Sequence, residues 1–394
     1  MKIYDRQTAE TWLSHQNQKT IAAFAARNSL RAMSAIQFVS TSSDDLARFF
    51  ILRSTLIACV SAGEHSQVTA NKLARAAQYA ADALRSELRT TASMDNSSAI
   101  SAGRIALNAV QIAAAQENLI EKSAATAITW AESYVTNTYA AANRDAQLLT
   151  QIGENSQPAS DVFKTSLWPS LSERNHAAAE PAGHVKAYER VIASMDKETA
   201  VWSFWQRWWE GMRTGTPLPW ELQAQVALIG GEDSFKIWGE SPRTVAEKIR
   251  EVEARLELKA RLREAETAMV RDAAQRLKIG GNNPPGAIDD FADWPNEVTL
   301  VWEPLVAFKE EADSEEPDKD RIRGAIGRIQ ALLFASGKWL GGKLDTAVDA
   351  AAKEFGKLFA KWSTRIGAVW LAAQAPHLEG ILKAAEAWLR ALGG

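Results

Sequence analysis

The sequence lacks most of the features that mark secreted and membrane-spanning proteins. Its 394 residues include one cysteine, Cys59, so no internal disulfide can form, which is typical of a reducing compartment. The first residues lack the apolar run of a signal peptide, and no segment has the roughly 18 consecutive apolar residues expected of a membrane span. We therefore expect a cytoplasmic protein, with peripheral attachment to the inner membrane as an alternative.

An excess of charge of one sign is also missing. Lysine and arginine number 45 against 48 aspartates and glutamates, which gives a net charge of −3. A general nucleic-acid binder normally carries a strong basic excess, so no nucleic-acid partner is expected. The chain is 46% hydrophobic and 24% charged, a composition that is typical of a globular protein.

Catalytic signatures are absent from the sequence, which contains no GxxxxGKS/T, GxGxxG, GxSxG or HExxH motif and no EF-hand loop. His176 and Glu180 have the i,i+4 spacing of metal ligands on a helix. However, Pro181 and Gly183 are expected to break a helix before His184, which favours a pair of loop histidines. We expect no metal, no cofactor and no enzymatic activity, while a catalytic site assembled from distant residues is left open.

What the sequence does contain is helix-forming residues. Alanine dominates about the first 150 residues, and strand signals are scarce. The pattern predicts an all-α, multi-domain helical bundle with antiparallel helix hairpins and little or no β structure. One helix is predicted from Thr8 to Ile36, and Ser241 followed by Pro242 predicts the start of a long charged helix that reaches about Lys278.

Composition also predicts the domain organisation, because 13 of the 15 tryptophans lie at or after Trp168. The predicted division is an alanine-rich N-terminal bundle (1–153), a linker (154–184), a tryptophan-rich helical domain (185–279), a Gly/Asn/Pro linker (280–297) and a basic amphipathic helical region (298–394).

The first candidate binding surface is the tryptophan-rich segment. On a helix its tryptophans share one face, opposite Ser203, Gln206 and Arg207. One interpretation is a core helix buried under two neighbours. The other is an aromatic platform that binds a partner, because tryptophan and arginine are enriched at interface hot spots. The candidate binding residues are Trp202, Trp205, Trp208, Trp209 and the nearby Trp220.

The second candidate is the turn-rich stretch Ile279–Gly286, with Asn282 and Asn283 at its centre. Glycine and asparagine tolerate left-handed conformations, and the two prolines then extend the chain. The stretch is either a helix stop and interdomain linker or a short recognition element, in which Asn282 and Asn283 bind the partner.

The residues Ile279–Pro285 resemble an IGHNNPP-like signature of uncharacterised alphaproteobacterial and prophage-associated helical proteins. Gly215–Trp220, with Gly-x-Pro-Leu-x-Trp spacing, looks like the frequent upstream companion of that signature. Gly281 stands where histidine is usual. The resemblance implies a bacterial or mobile-element lineage and helical character, and it carries no activity.

The third candidate is the C-terminal tail, where from Arg321 onward lysine and arginine number 11 against 5 acidic residues. Its aromatic and aliphatic residues recur at helical spacing with lysines between them. Such a helix docks on a bundle, drives oligomerisation or lies in a membrane interface. The candidate membrane or docking residues are Trp339, Phe355, Phe359, Trp362 and Trp370.

These features favour a non-enzymatic helical interaction or scaffold protein with a protein partner, and homo-oligomerisation is left open. The alternative is a membrane-targeting effector or toxin-like protein that acts through its basic amphipathic C-terminal helices and makes peripheral membrane contact.

Overall fold

The structure is a computed structural model, which describes residues 2–35, 42–63, 65–91, 97–113, 124, 138–168, 180–231, 234–276, 296–335 and 365–393. These ranges contain fourteen α-helices and no strand, so the prediction of an all-α fold is confirmed. Within the same ranges, no helix is long and apolar enough to cross a membrane.

The chain forms two compact units, unit 1 (Met1–Ile249) and unit 2 (Arg250–Gly394). The helices of unit 1 are α1 (Arg6–Leu13), α2 (Gln18–Ala32), α3 (Ser42–Ser61), α4 (Gln67–Thr91), α5 (Ser97–Ala113), α6 (Thr138–Glu154), α7 (Ala182–Met195), α8 (Thr199–Thr214), α9 (Trp220–Ala227) and α10 (Ser234–Trp238). Short 3-10 helices cover Met33–Ala35, Ala159–Lys164 and Asp196–Glu198. The unit boundary falls inside α11 (Pro242–Arg276), and unit 2 continues with α12 (Asn296–Asp313), α13 (Lys319–Ala335) and α14 (Arg365–Ala391).

This division differs from the predicted one, because the alanine-rich and tryptophan-rich regions belong to the same unit. Phe49 of α3 packs against Trp202 and Trp205 of α8, with ring centroids 4.8 and 5.8 Å apart. Because helices from both regions need each other to bury their apolar faces, they form one unit rather than two domains.

Local capping residues explain where several helices begin. The helix predicted from Thr8 to Ile36 is instead two helices, because the Asn17 side chain accepts a hydrogen bond from the Thr20 N–H and starts α2 afresh. The predicted start of the long charged helix is confirmed, since the Ser241 hydroxyl oxygen accepts from the Thr244 N–H at the start of α11.

α2 is the central helix of unit 1, and every residue from Thr20 to Ala32 is buried. It packs against α3, α5 and α6. Its alanines permit close approach of these neighbours. Arg27 and Arg31 therefore lie in the interior, and their charges need partners there.

Unit 2 has a separate apolar core contributed by α11, α12, α13 and α14. Trp302, Phe308 and Trp388 are its largest side chains, and each is at most 4% exposed. One ion pair of unit 2 lies outside this core, where Lys259 Nζ is 2.5 Å from Asp313 Oδ1.

Candidate functional site

The four tryptophans proposed for an aromatic platform lie in the core of unit 1. Trp202, Trp205, Trp208 and Trp209 are at most 4% exposed. Trp205 makes edge contacts with Phe204 and Trp208, and these rings fill space between helices. A platform for a partner needs exposed rings, so these four side chains form the core helix of the first interpretation instead.

Trp220, the fifth proposed binding residue, is half-buried and packs edge-on against Phe163, with ring centroids 5.7 Å apart. The indole nitrogen of Trp208 donates to Gln223 Oε1 at 2.9 Å, and Gln223 Nε2 donates to the Leu218 carbonyl at 2.6 Å. These contacts fix the turn between α8 and α9. The Gly215–Trp220 motif therefore has a structural role in this turn.

Gly215 is the residue on which this turn depends. It ends α8 in the left-handed conformation, with φ of 82°. A Cβ atom at this position would lie 2.7 Å from both Ser166 N and Thr165 C. Only glycine fits such a close backbone approach at positive φ, so the segment 162–168 passes directly over the end of α8.

The interior of unit 1 holds a buried charge cluster, defined as Arg27, Arg31 and Asp145. The Arg27 Nε atom donates to Asp145 Oδ1 at 2.9 Å. Arg31 Nη2 lies 2.7 Å from Asp145 Oδ2, an ion pair that is not aligned as a hydrogen bond. All three side chains are fully buried. One carboxylate of α6 thus faces two guanidinium groups of α2 and offsets one of their two positive charges.

Other N–H groups of the Arg27 and Arg31 guanidiniums hold the segment 162–168. Arg27 donates to four backbone carbonyls, and Arg31 donates to one of the same four at 2.9 Å. The accepting residues are Val162, Thr165, Ser166 and Leu167. Burial lowers the pKa of Arg27 to about 10 and also lowers the pKa of Arg31, while Asp145 opposes both shifts. The cluster therefore joins α2, α6 and a segment that the sequence predicts to be a linker.

His184 extends this network toward the surface. Its Nδ1 atom lies 2.7 Å from Glu180 Oε1, and its Nε2 atom lies 3.1 Å from the Arg31 carbonyl oxygen. Both contacts are to oxygen atoms, so His184 links Glu180 to the C-terminal end of α2. The expectation that His184 is a loop histidine is wrong, because Pro181 caps α7 and places His184 in its first turn, 4% exposed.

Glu180 connects His184 to a second group of charges. Arg213 Nη1 donates to Glu180 Oε2 at 2.9 Å, and Arg213 Nε donates to Glu210 Oε2 at 3.0 Å. The Tyr188 hydroxyl donates to Glu210 as well. Burial raises the pKa of Glu210, but the hydrogen bonds from Arg213 and Tyr188 outweigh it, so the pKa lies below its ordinary value. Burial and the same carboxylate raise the pKa of Tyr188.

Within unit 1 this network links α2, α6, α7 and α8 to the segment 162–168. In the part of the chain that the structure describes, no group of three or more His, Cys, Asp or Glu residues could hold a metal ion. The Cys59 thiol is fully buried, and burial raises its pKa, which keeps it protonated and unreactive.

Several proposed residues lie outside the described part of the structure. Asn282, Asn283 and the whole Ile279–Pro285 signature are among them, as are Trp339, Phe355, Phe359 and Trp362. Trp370 lies in α14, where its side chain is not described. The recognition element and the membrane or docking role of the tail stay predictions.

Reasoning from the sequence missed the buried charge cluster. Its available signal was the i,i+4 spacing of Arg27 and Arg31 inside the alanine-rich stretch of α2. An apolar helix that carries two arginines on one face indicates buried partners. No local signal identifies Asp145 as the partner, because it lies more than a hundred residues further along the chain.

An exposed face of α4 also escaped notice in the sequence. Four large hydrophobic side chains are exposed in the described ranges: Tyr4, Val68, Tyr79 and Phe334. Val68 and Tyr79 share one helix, and Lys72 and Arg75 lie between them at helical spacing, both exposed. We define the α4 face as Val68, Lys72, Arg75 and Tyr79.

No protein-family model, curated protein or solved structure matches this chain.

Proposed function

We propose that the protein is a non-enzymatic helical interaction protein, and that unit 1 binds a partner protein through the α4 face. The observation that supports this proposal most directly is the exposure of Val68 and Tyr79, at 66% and 40%, on the same side of one helix. α4 packs on α3, α5 and α10, and the side chains of Val68 and Tyr79 stay exposed on its surface.

The geometry of the α4 face suits a protein partner. Val68 and Tyr79 are eleven positions apart in the sequence, which places them about 20° apart around the helix and roughly 16 Å apart along it. Two apolar anchors at this spacing match the way a helix docks into a groove or against another helix. Tyrosine is among the residues that contribute most to protein interfaces.

The charges of the α4 face indicate the chemistry of the partner. Two of its four residues, Lys72 and Arg75, are basic, and both are exposed. A complementary surface therefore combines apolar side chains with acidic ones around them. We propose that the partner is a different protein with an acidic, partly apolar surface.

The buried charge cluster supports this role by fixing the scaffold on which α4 is held. A rigid helix face loses little conformational entropy on binding, which favours affinity. The tryptophans first proposed as the interaction surface are buried, so the α4 face takes their place in this proposal.

Site-specific photo-crosslinking in the producing cell tests the proposal. A photoreactive phenylalanine analogue replaces Tyr79 in one variant and Tyr4, which is 68% exposed, in a matched control. We expect a crosslinked protein from position 79 that is absent from position 4, and mass spectrometry identifies it. Adding Val68→Glu should reduce this product by tenfold or more, since a charge replaces an apolar anchor beside it (about 1.4 kcal/mol per tenfold).

Two outcomes would overturn the proposal. One is a set of products shared by positions 79 and 4, or unaffected by Val68→Glu, because the contact would then be unspecific. The other is a crosslink to a second copy of this chain, which would replace the proposed partner by a homo-oligomer. Circular dichroism of Val68→Glu checks that the exposed substitution leaves the helical content unchanged.

A further inference from the structure

The four residues of the α4 face follow the spacing of a coiled-coil seam. Val68, Lys72, Arg75 and Tyr79 are separated by four, three and four positions. On an α-helix this spacing places them within an arc of about 60°. Alternating steps of three and four positions form a narrow stripe, along which a second helix packs lengthwise. The spacing of the α4 face therefore favours a helix as the element that binds it.

The stripe is exposed along its length. Val68 and Tyr79 are exposed at its two ends, and Lys72 and Arg75 are exposed between them. α4 therefore packs into unit 1 with one side and exposes a narrow stripe on the opposite side. The residues at the helix positions opposite the stripe are buried: Leu73, Ala77, Ala80 and Leu84.

Two basic residues, Lys72 and Arg75, occupy the central positions of the stripe, between its apolar ends. A basic residue in a helix–helix seam is costly when the opposing residue is apolar, because its charge loses contact with water. An acidic residue opposite each of them compensates this loss by a charge-assisted hydrogen bond. A well-matched helix therefore has acidic residues opposite Lys72 and Arg75 and apolar residues opposite Val68 and Tyr79.

The basic part of the seam ends at Tyr79. Asp82 follows at the next seam position, and its carboxylate accepts from Gln78 Nε2 at 3.0 Å and from Arg85 Nη1 at 2.6 Å. These donors belong to α4 itself. The α4 face is therefore the basic portion of a longer exposed line of residues.

A second copy of this chain is a poor match for the α4 face. In an antiparallel pair of α4 helices that brings Val68 of each copy against Tyr79 of the other, Lys72 faces Arg75 at both central positions. In a parallel pair, each basic residue faces its own counterpart. Both arrangements that pair the apolar residues set like charges against each other, which opposes association. The charges of the face therefore favour a different chain.

We propose that the partner binds the α4 face with an amphipathic helix in which two acidic residues lie between two apolar residues, at spacings of four, three and four positions. This inference rests on the proposed function and specifies which element of the partner docks. Because the spacing is the same in both directions, it holds for a parallel and for an antiparallel helix. Lys72 and Arg75 are the residues that determine specificity.

Photo-crosslinking of three designed peptides to the full chain, with the photoreactive phenylalanine analogue at position 79, tests the spacing and the charge. The first peptide, about 20 residues long to favour a helix, has leucine, glutamate, glutamate and leucine at the proposed spacing. The second has lysine in place of both glutamates. The third keeps the charge of the first, but each glutamate is moved by two positions, about 200° around the helix.

At equal peptide concentrations well below saturation, the crosslink yield reports relative affinity. We expect the first peptide to give roughly tenfold more product than the second, because opposite charges replace like charges at two positions. The third peptide should also give less product than the first, since its glutamates point away from Lys72 and Arg75.

A double substitution assigns the preference to the two basic residues. Lys72→Glu with Arg75→Glu should reverse it, so that the lysine peptide gives more product than the acidic one. Both positions are exposed and glutamate is a good helix former, so the fold should be retained, which circular dichroism checks. Lys186→Glu with Arg190→Glu, at two exposed positions of α7, makes the same change in net charge and should leave the preference unchanged.

The inference is wrong if the first and third peptides give equal yields, or if the control double variant reverses the preference as well, because net charge alone would then explain the binding. The partner captured in the cell separates this inference from the proposed function. A specific crosslink to a strand or loop of the partner overturns the docking helix and leaves the proposed function standing. The absence of any specific crosslink from position 79 overturns both.

Discussion

Unit 1 and unit 2 are both helical, yet they differ in how many charged side chains they bury. Unit 1 buries Arg27, Arg31, Arg53 and Asp145 almost completely. In the described residues of unit 2, Glu311 is the one charged side chain that is buried, and it accepts from the half-exposed Arg321 at 2.8 Å. The core cluster of unit 2 is otherwise formed by apolar side chains.

The difference shows two ways in which a helical core is specified. Apolar packing alone, as in unit 2, stabilises through buried area and shape. Buried arginines, as in unit 1, need acceptors at fixed positions, and only one arrangement of α2, α6 and the segment 162–168 supplies them. We infer that the cluster contributes specificity more than stability, because burying charges is itself costly.

The largest expected effect comes from removing the carboxylate of the buried charge cluster. Asp145→Asn leaves two guanidinium groups without a counter-charge, and we expect unit 1 to lose about 3–5 kcal/mol of unfolding free energy. Hydrogen exchange of peptides from α2 and α6 in increasing urea measures this loss for unit 1 alone.

Asp313→Asn in unit 2 is the matched control, because Asp313 pairs with Lys259 while 56% exposed. We expect at most about 1 kcal/mol from this surface pair. Equal losses in the two variants would contradict the contrast between the units.

A smaller effect is expected at the turn that joins α8 to the segment 162–168. Gly215→Ala places a Cβ atom 2.7 Å from the backbone of that segment and at positive φ. We expect a loss of about 1–3 kcal/mol from backbone strain, measured by the thermal shift of unit 1. Gly183→Ala, in the first turn of α7 where a Cβ atom meets no neighbour within 4 Å, should leave the Tm within a degree or raise it.

The smallest effect concerns acid sensitivity at the outer end of the network. The folded-state pKa of Glu210 is lowered, so its ionised form stabilises unit 1 above its ordinary pKa of 4.5, and this stability is lost as pH falls through the folded value. Glu210→Gln should therefore be less stable than wild type at pH 7, and the difference should shrink by pH 3. Thermal unfolding at both pH values measures it. A difference that stays constant would show that the glutamine acts through packing rather than charge.

The sequence predicted much of the fold because helix signals are local. Alanine content, the Ser241 cap and the one-sided tryptophan pattern of α8 all depend on residues within a few turns of one another. The Asn17 cap is equally local, but it was missed in the prediction of one helix from Thr8 to Ile36. The burial of Trp205 and Trp208 was one of two interpretations that this pattern allowed. Periodicity shows which side chains share a face but not whether another helix covers that face.

The candidate sites were predicted less well for the same reason. Two arginines at i,i+4 in α2 indicate that their guanidinium groups are buried. They do not indicate that Asp145 is the counter-charge. The α4 face is recognisable only when burial has identified which side of α4 remains exposed.

The sequence by itself therefore determined the helical class, the start of α11 and the near-neutral charge. Tertiary structure alone decided that the alanine-rich and tryptophan-rich regions share one unit and that Asp145 is the counter-charge of Arg27 and Arg31. The physical reason is the range of the interactions. Backbone propensity and capping act over a few residues, whereas charge compensation and burial join side chains more than a hundred positions apart.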